Sequence, residues 1–303
     1  MTPDKGLAAI DRRAFLRSAM AYSGLLAGGG FLAGCASTGA AGGRGGSIDL
    51  ISGRTIGIQL YTVRDLLQAD FEGTLTRVAE IGYREFEFAG YYNHSAAQVR
   101  NILDRLDVTA PSAHIGLNEF RGDIDRLMGD AQVIGHHYLI VPSANGRTAE
   151  GWRQLAAEFN RIGEVVARAG LRFGYHNHAA EFQDLGGGTT AYDILLRETD
   201  PALVALELDL YWAVRGGQDP LAMFAADPGR YRLFHVKDMA DRAGSQAMVP
   251  VGEGELDFAA IFAQVGQAGT EHFFVEHDNA AEYPGGSIAS ITTSYRNLRG
   301  LLS

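Results

Sequence analysis

Between Arg54 and the C-terminus, short apolar runs and amphipathic stretches alternate eight times, a period that few folds accommodate. The apolar runs, at 56–63, 85–88, 108–114, 138–142, 171–178, 204–210, 233–236 and 273–276, have the length of strands. Between them apolar residues recur at spacings of three and four, as in 71–81 and 152–167, the mark of helices with one buried face. Gly82, Gly170 and Gly269 each fall just before an apolar run, where a short helix-to-strand loop calls for glycine. Eight strand–helix units in about 250 residues match a (β/α)8 barrel. A doubly wound open sheet is the alternative, but charged residues at so many strand ends favour closure.

In such a barrel the working residues stand at the C-terminal ends of the strands. His176 and His178 lie two apart in one apolar run, so both rings share a face, and Glu181 follows just past its end. Asp209 and Glu276 close later runs, and His235 closes another with Lys237 on its face. Glu181 to Asp209 spans 28 residues, Asp209 to His235 spans 26, and His235 to Glu276 spans 41. One strand–helix unit takes roughly 30 residues, so these four side chains are predicted to meet at one edge as a divalent-metal site. His178 is the rival first ligand, and hydrogen-bonded strand histidines beside a surface Glu are the plain alternative. Gln59, Tyr61, His114 and Trp212 also fall at strand ends and are candidate substrate contacts. Tyr61 and Trp212 suit stacking on the C–H face of a sugar, or simple packing under loops. His136, His137 and His272 fall at the opposite end. The segment 239–256 is expected to fold over the barrel mouth, with Asp257 capping the helix after it. Asp238 and Asp278 are expected to orient an imidazole or close a turn.

The first fifty residues read as something other than the barrel. Arg12-Arg13 followed by Phe15-Leu16, then a Gly-rich apolar stretch, look like a twin-arginine export signal over 1–34. Leu32-Ala-Gly-Cys35 looks like a lipobox, and Cys35 is the only cysteine of the chain, so it is the expected lipidation site. Residues 35–53 then form a flexible tether and 54–303 the barrel. This implies a periplasmic lipoprotein that meets the membrane only through its lipid, and a domain without internal disulfides. Without 1–34 the balance is 22 basic to 34 acidic side chains, which argues against nucleic acid and polyanionic ligands and suits a small neutral carbohydrate. Nothing in the sequence fixes an oligomeric state.

Tyr175-His-Asn-His178, Glu207-Leu-Asp-Leu-Tyr-Trp212, His235-Val-Lys-Asp238, Gly252-Glu-Gly254 and Val275-Glu-His-Asp278 occur in order, after Gly57-Ile-Gln-Leu-Tyr-Thr-Val-Arg64. With these motifs the chain resembles the sugar phosphate isomerase/epimerase family of xylose isomerase-like TIM barrels, in its exported branch, over essentially all of 54–303. The resemblance implies one divalent ion, Mn, Co, Zn or Mg, held by Asp209, His235, Glu276 and a first Glu. The family carries that first Glu within the fifth strand, where this chain has Tyr175-His176, and Glu181 is its expected replacement. An ion chelated by a sugar carbonyl and its neighbouring hydroxyl would acidify the adjacent C–H and stabilise an enediolate. Glu181 and Glu276 are the expected proton-transfer pair, with His176, His178 and Lys237 binding hydroxyls or shuttling protons. An isomerase or epimerase acting on an unphosphorylated sugar follows. The alternatives are a lyase or hydratase on 3-keto-glycosides or keto-sugars, a multi-zinc nuclease, which the acidic balance opposes, and a non-catalytic sugar-binding lipoprotein.

Overall fold

The computed structural model describes residues 54–303. The expected signal, tether and lipidation site at Cys35 lie outside them. The eight barrel strands are β1 (Gly57–Gln59), β2 (Glu85–Phe88), β3 (Thr109–His114), β4 (Tyr138–Val141), β5 (Arg172–His176), β6 (Val204–Asp209), β7 (Tyr231–Val236) and β8 (His272–Val275). Each pairs in parallel with its sequence neighbour, and β1 pairs with β8, so the sheet closes. Helices separate successive strands and pack outside them. The open-sheet alternative is excluded. No helix among the described residues is long and apolar enough to cross a membrane.

The period-two alternation of strand side chains sorts the barrel into two cores. In β6, Val204, Leu206 and Leu208 face the helices, while Ala205, Glu207 and Asp209 face the axis. In the same way β7 turns Leu233 and His235 inward, and Phe274 faces inward from β8. The axis therefore holds an apolar layer of Tyr138, Ile140, Ala205, Leu233 and Phe274. A polar layer built from Gln59, Glu87, Ser112, His114, His176, Glu207 and His235 is linked by hydrogen bonds among its members. Gly174 lines the inside of β5 because a Cβ there would stand 2.5 Å from Ile140 Cδ1.

Several boundaries differ from the sequence expectation. The first run is not one strand over 56–63: β1 stops at Gln59, whose Oε1 accepts the Tyr61 N–H at 2.9 Å and starts a 3-10 turn, Leu60–Val63. The fifth strand ends at His176, because Asn177 leaves the ladder to accept the Asp209 N–H through Oδ1 at 3.1 Å. His178 thus stands on the loop rather than on the strand. After β7 the chain forms a small antiparallel hairpin, Asp238–Met239 with Met248–Val249. The Asp238 carboxylate then gathers the N–H groups of Met239, Gly252, Gly254 and Leu256. Asp257 caps the next helix by accepting from Ala260 N–H at 3.0 Å.

Candidate active site

Three of the four residues expected as metal ligands converge. Asp209, His235 and Glu276 are buried, and each offers a donor atom within 4.8 Å of the others. Asp209 caps the helix Leu210–Arg215, with Oδ1 accepting from Trp212 N–H at 2.8 Å. That cap fixes the carboxylate, and Oδ2 is left buried without a hydrogen bond. Lys237 Nζ lies 3.0 Å from that oxygen, 2.8 Å from Glu276 Oε2 and 2.7 Å from Asp278 Oδ1. His235 is gripped on both sides, with Nδ1 2.6 Å from Glu276 Oε2 and Nε2 2.6 Å from Glu87 Oε1.

Glu181, the expected first ligand, does not reach this group. Oε1 accepts from Tyr175 O–H at 2.7 Å and Oε2 from His178 N–H at 2.9 Å, so the carboxylate closes its own turn. It does not line the cavity either, which removes the expected pairing of Glu181 with Glu276. His176 is nearer to the group than Glu181, with Nε2 3.7 Å from Asp209 Oδ2. Gln59 is another correction. Its Nε2 donates to Glu87 Oε1 at 2.6 Å and it is fully buried, so its role is to build the polar layer rather than to contact a ligand.

Above these residues opens a cavity of about 450 Å3, lined by Tyr61, His114, His176, His178, Lys237 and Glu276 among others. Tyr61 is 43% exposed at the rim, under the Arg64 guanidinium. His114 Nε2 lies 2.7 Å from Glu207 Oε2 at the floor. Trp212 is half-buried against His178, and its indole N–H has no partner. The buried His136, at the other end as expected, donates from Nδ1 to Ala110 C=O and accepts at Nε2 from Tyr91 O–H.

Burial and charge set the protonation states. Burial, reinforced by the charges of His235 and His114, holds His176 well below the usual histidine range. Burial and the neighbouring Lys237 lower His178 to about 4. Both rings are therefore neutral at neutral pH. Burial raises Asp209 to about 6 against the pull of Lys237 and His235. Burial alone would lower Lys237, but Asp209, Glu276 and Asp278 outweigh it and keep the ammonium charged. Beneath them the two axial carboxylates split: burial and the charge of Glu87 push Glu207 up, while His114 and His235 overcome burial and hold Glu87 down.

Glu87 and Glu207 carry much of this site and were not singled out from sequence. The signal was present: Glu87 alternates with two buried phenylalanines in β2, and Glu207 sits two before Asp209 on the same face.

Barrel, inward carboxylate–imidazole cluster and overlying cavity define a class of enzyme-like sites built at the C-terminal end of parallel strands. The chain belongs to the xylose isomerase-like TIM barrel family, whose pattern matches residues 75–294. It is 32% identical over 159 residues to an inosose dehydratase of Geobacillus thermodenitrificans, covering 45% of this chain and 51% of the relative. A second inosose dehydratase, from Geobacillus kaustophilus, is 24% identical over 255 residues, 69% of this chain and 81% of that protein. The chain spans about half the length of the first of these. Among solved structures, a sugar phosphate isomerase/epimerase of Parabacteroides distasonis superposes with a TM-score of 0.70 at 25% identity, covering 83% of this chain and 96% of that one.

Proposed function

We propose that this chain is a divalent-metal-dependent lyase acting on an unphosphorylated keto-sugar or cyclic polyhydroxy ketone. The observation that carries this is the convergence of Asp209, His235 and Glu276 below a cavity that Glu276 lines, with Asp209 Oδ2 buried and without a hydrogen bond. A mixed nitrogen–oxygen donor set of two carboxylates and an imidazole fits a borderline divalent ion. Asp209, His235 and Glu276 would hold it, and when bound it supplies Lewis acidity to a substrate carbonyl.

The chain's own groups supply the rest. Neutral His178 lines the cavity and is suited to take the proton from the carbon next to the carbonyl. The C–H electron pair forms the new double bond as the oxygen substituent on the next carbon leaves with a proton. Lys237, charged and on the cavity wall, is placed to donate to that departing oxygen. Tyr61 at the rim offers a face to the ring. Among the described residues Lys237 is the only Lys or Arg that lines the cavity, and three carboxylates already neutralise it, which supports a substrate without phosphate. The dehydratases among the relatives favour elimination.

A second reading, isomerisation or epimerisation, is favoured by the presence of two proton acceptors, His178 and Glu276, on one cavity. Metal-loaded protein is to be incubated with a 3-keto-glucoside and with a cyclic polyhydroxy ketone. Aglycone release or a conjugated enone absorbance is expected. An epimer alone would establish the second reading, and an unchanged substrate would remove both. We propose in addition that residues 1–34 direct export and that Cys35 carries lipid. Mass spectrometry of the membrane-bound protein is expected to find a lipid-modified N-terminal Cys35, and an unmodified soluble chain beginning at Met1 would contradict it.

A further inference from the structure

Both central histidines stand on carboxylates that lie below the cavity. His176 Nδ1 is 3.1 Å from Glu207 Oε2, and His235 Nε2 is 2.6 Å from Glu87 Oε1. Glu87 and Glu207 are fully buried and do not line the cavity. A ring N–H directed at such a buried carboxylate oxygen leaves the opposite nitrogen as the one able to bind something else. For His176 that opposite atom is Nε2, 3.7 Å from Asp209 Oδ2. His235 faces a carboxylate on each side, so an ion at Nδ1, 2.6 Å from Glu276 Oε2 and 3.9 Å from Asp209 Oδ2, would replace the hydrogen shared with Glu276 while Nε2–H stays on Glu87. Asp209, His235 and Glu276, from the ends of β6, β7 and β8, thus meet within 4.8 Å. His176 Nε2, from the end of β5, stands beside them at Asp209 Oδ2. That atom is one of two carboxylate oxygens of the cluster that are buried without a hydrogen bond, the other being Glu207 Oε1.

We propose that Glu87 and Glu207 are positioning residues that fix the tautomers of His235 and His176, so that His176 Nε2 joins Asp209, His235 and Glu276 as the fourth donor to a divalent transition-metal ion. The assignment rests on the metal dependence proposed above and names the donor that Glu181 does not supply. Carboxylates behind ligating imidazoles fix ring orientation and raise ligand basicity. Two imidazoles among four donors shift preference away from Mg2+ and toward Co2+ or Zn2+. The same side chains offer a rival, deeper seat, in which His114, His176, Glu207 and His235 are the donors. That seat would take the three ring nitrogens already paired with carboxylates, His114 Nε2, His176 Nδ1 and His235 Nε2, and would give Asp209 no part in binding.

The test is Co2+ titration of the full chain, followed by calorimetry and by the visible absorption of the bound ion. Glu207→Gln and Glu87→Gln are expected to weaken Co2+ binding about 10- to 100-fold while keeping the wild-type spectrum. His176→Ala and Asp209→Asn are expected to lose more affinity and to alter the spectrum. The proposal is overturned if Glu207→Gln abolishes binding while Asp209→Asn binds normally, which is the deeper seat. It is also overturned if both Gln variants titrate like wild type. Should those variants fail to fold, nitrogen NMR of the metal-free wild type reads the His176 tautomer directly: Nδ1–H is expected, and Nε2–H contradicts the proposal. Tight Co2+ binding of the expected kind with no turnover of keto-sugars would sink the functional reading alone.

Discussion

Asp238→Asn is expected to loosen the loop that closes the barrel mouth without disturbing the barrel. Asp238 is buried, and its two oxygens divide four backbone donors: Oδ1 takes Met239 at 2.8 Å and Leu256 at 3.2 Å, Oδ2 takes Gly252 at 2.8 Å and Gly254 at 3.0 Å. An amide keeps one oxygen, so two of the four bonds are lost whichever way it turns. Bonds to a charged group contribute about 1.5–3 kcal/mol each, which sets a ceiling of about 3–6 kcal/mol. Gly252 is exposed and Gly254 half-exposed, so water can replace the acceptor on that side and the amide is expected to turn there. The cost falls to about 2–3 kcal/mol, or about 30- to 150-fold in the opening equilibrium. Hydrogen exchange by mass spectrometry reads this directly. Peptides covering 250–256 are expected to exchange faster by that factor, while those covering β3 to β6 keep wild-type protection. Unchanged exchange over 250–256 would refute the claim that Asp238 holds the loop.

Three further outcomes follow from the same geometry. Burial lowers His136 to about 4 against an ordinary 6.5, so as pH falls below 6.5 the unfolded chain takes up a proton that the folded chain refuses. Stability is complete above pH 6.5 and declines toward pH 4 by about 3 kcal/mol from this residue. Urea unfolding of wild type and His136→Gln should diverge in slope over that window, and parallel curves would contradict it. Gly174→Ala places a Cβ 2.5 Å from Ile140 Cδ1 and 3.0 Å from Ala205 C=O, and should cost about 1–3 kcal/mol. Ile140→Val should recover part of that in thermal melts, and a lack of recovery would show that the backbone contact dominates. Glu181→Gln should leave metal affinity within about twofold, because the carboxylate serves its own turn; a loss of tenfold or more would restore Glu181 as a ligand.

Much of the barrel was readable in the sequence because its signals are local. Alternating strands, amphipathic helices and the glycines at 82, 170 and 269, all with positive φ, are each fixed within a dozen residues. The meeting of Asp209, His235 and Glu276 was also legible, since parallel strands in register carry a residue at each strand end to one rim. What escaped was decided by individual side-chain hydrogen bonds. Gln59 turns the chain out of β1, Asn177 ends β5 by bonding to Asp209, and Tyr175 draws Glu181 away from the axis. Glu87 and Glu207 were hidden among apolar neighbours, and their importance comes from His235 and His176, 148 and 31 residues distant in sequence, contacts no local pattern reveals.

The central claim is that an ion held at the Asp209–His235–Glu276 cluster lets this chain remove a proton beside a ketone. Solvent-deuterium exchange measures that step alone. The protein is incubated with a cyclic polyhydroxy ketone in D2O after chelation, and again after Co2+ is restored. Deuterium at the carbon next to the carbonyl is expected only in the reloaded protein, and is expected to vanish in Asp209→Asn. Equal exchange in the chelated and reloaded samples, or exchange that survives Asp209→Asn, would contradict the account.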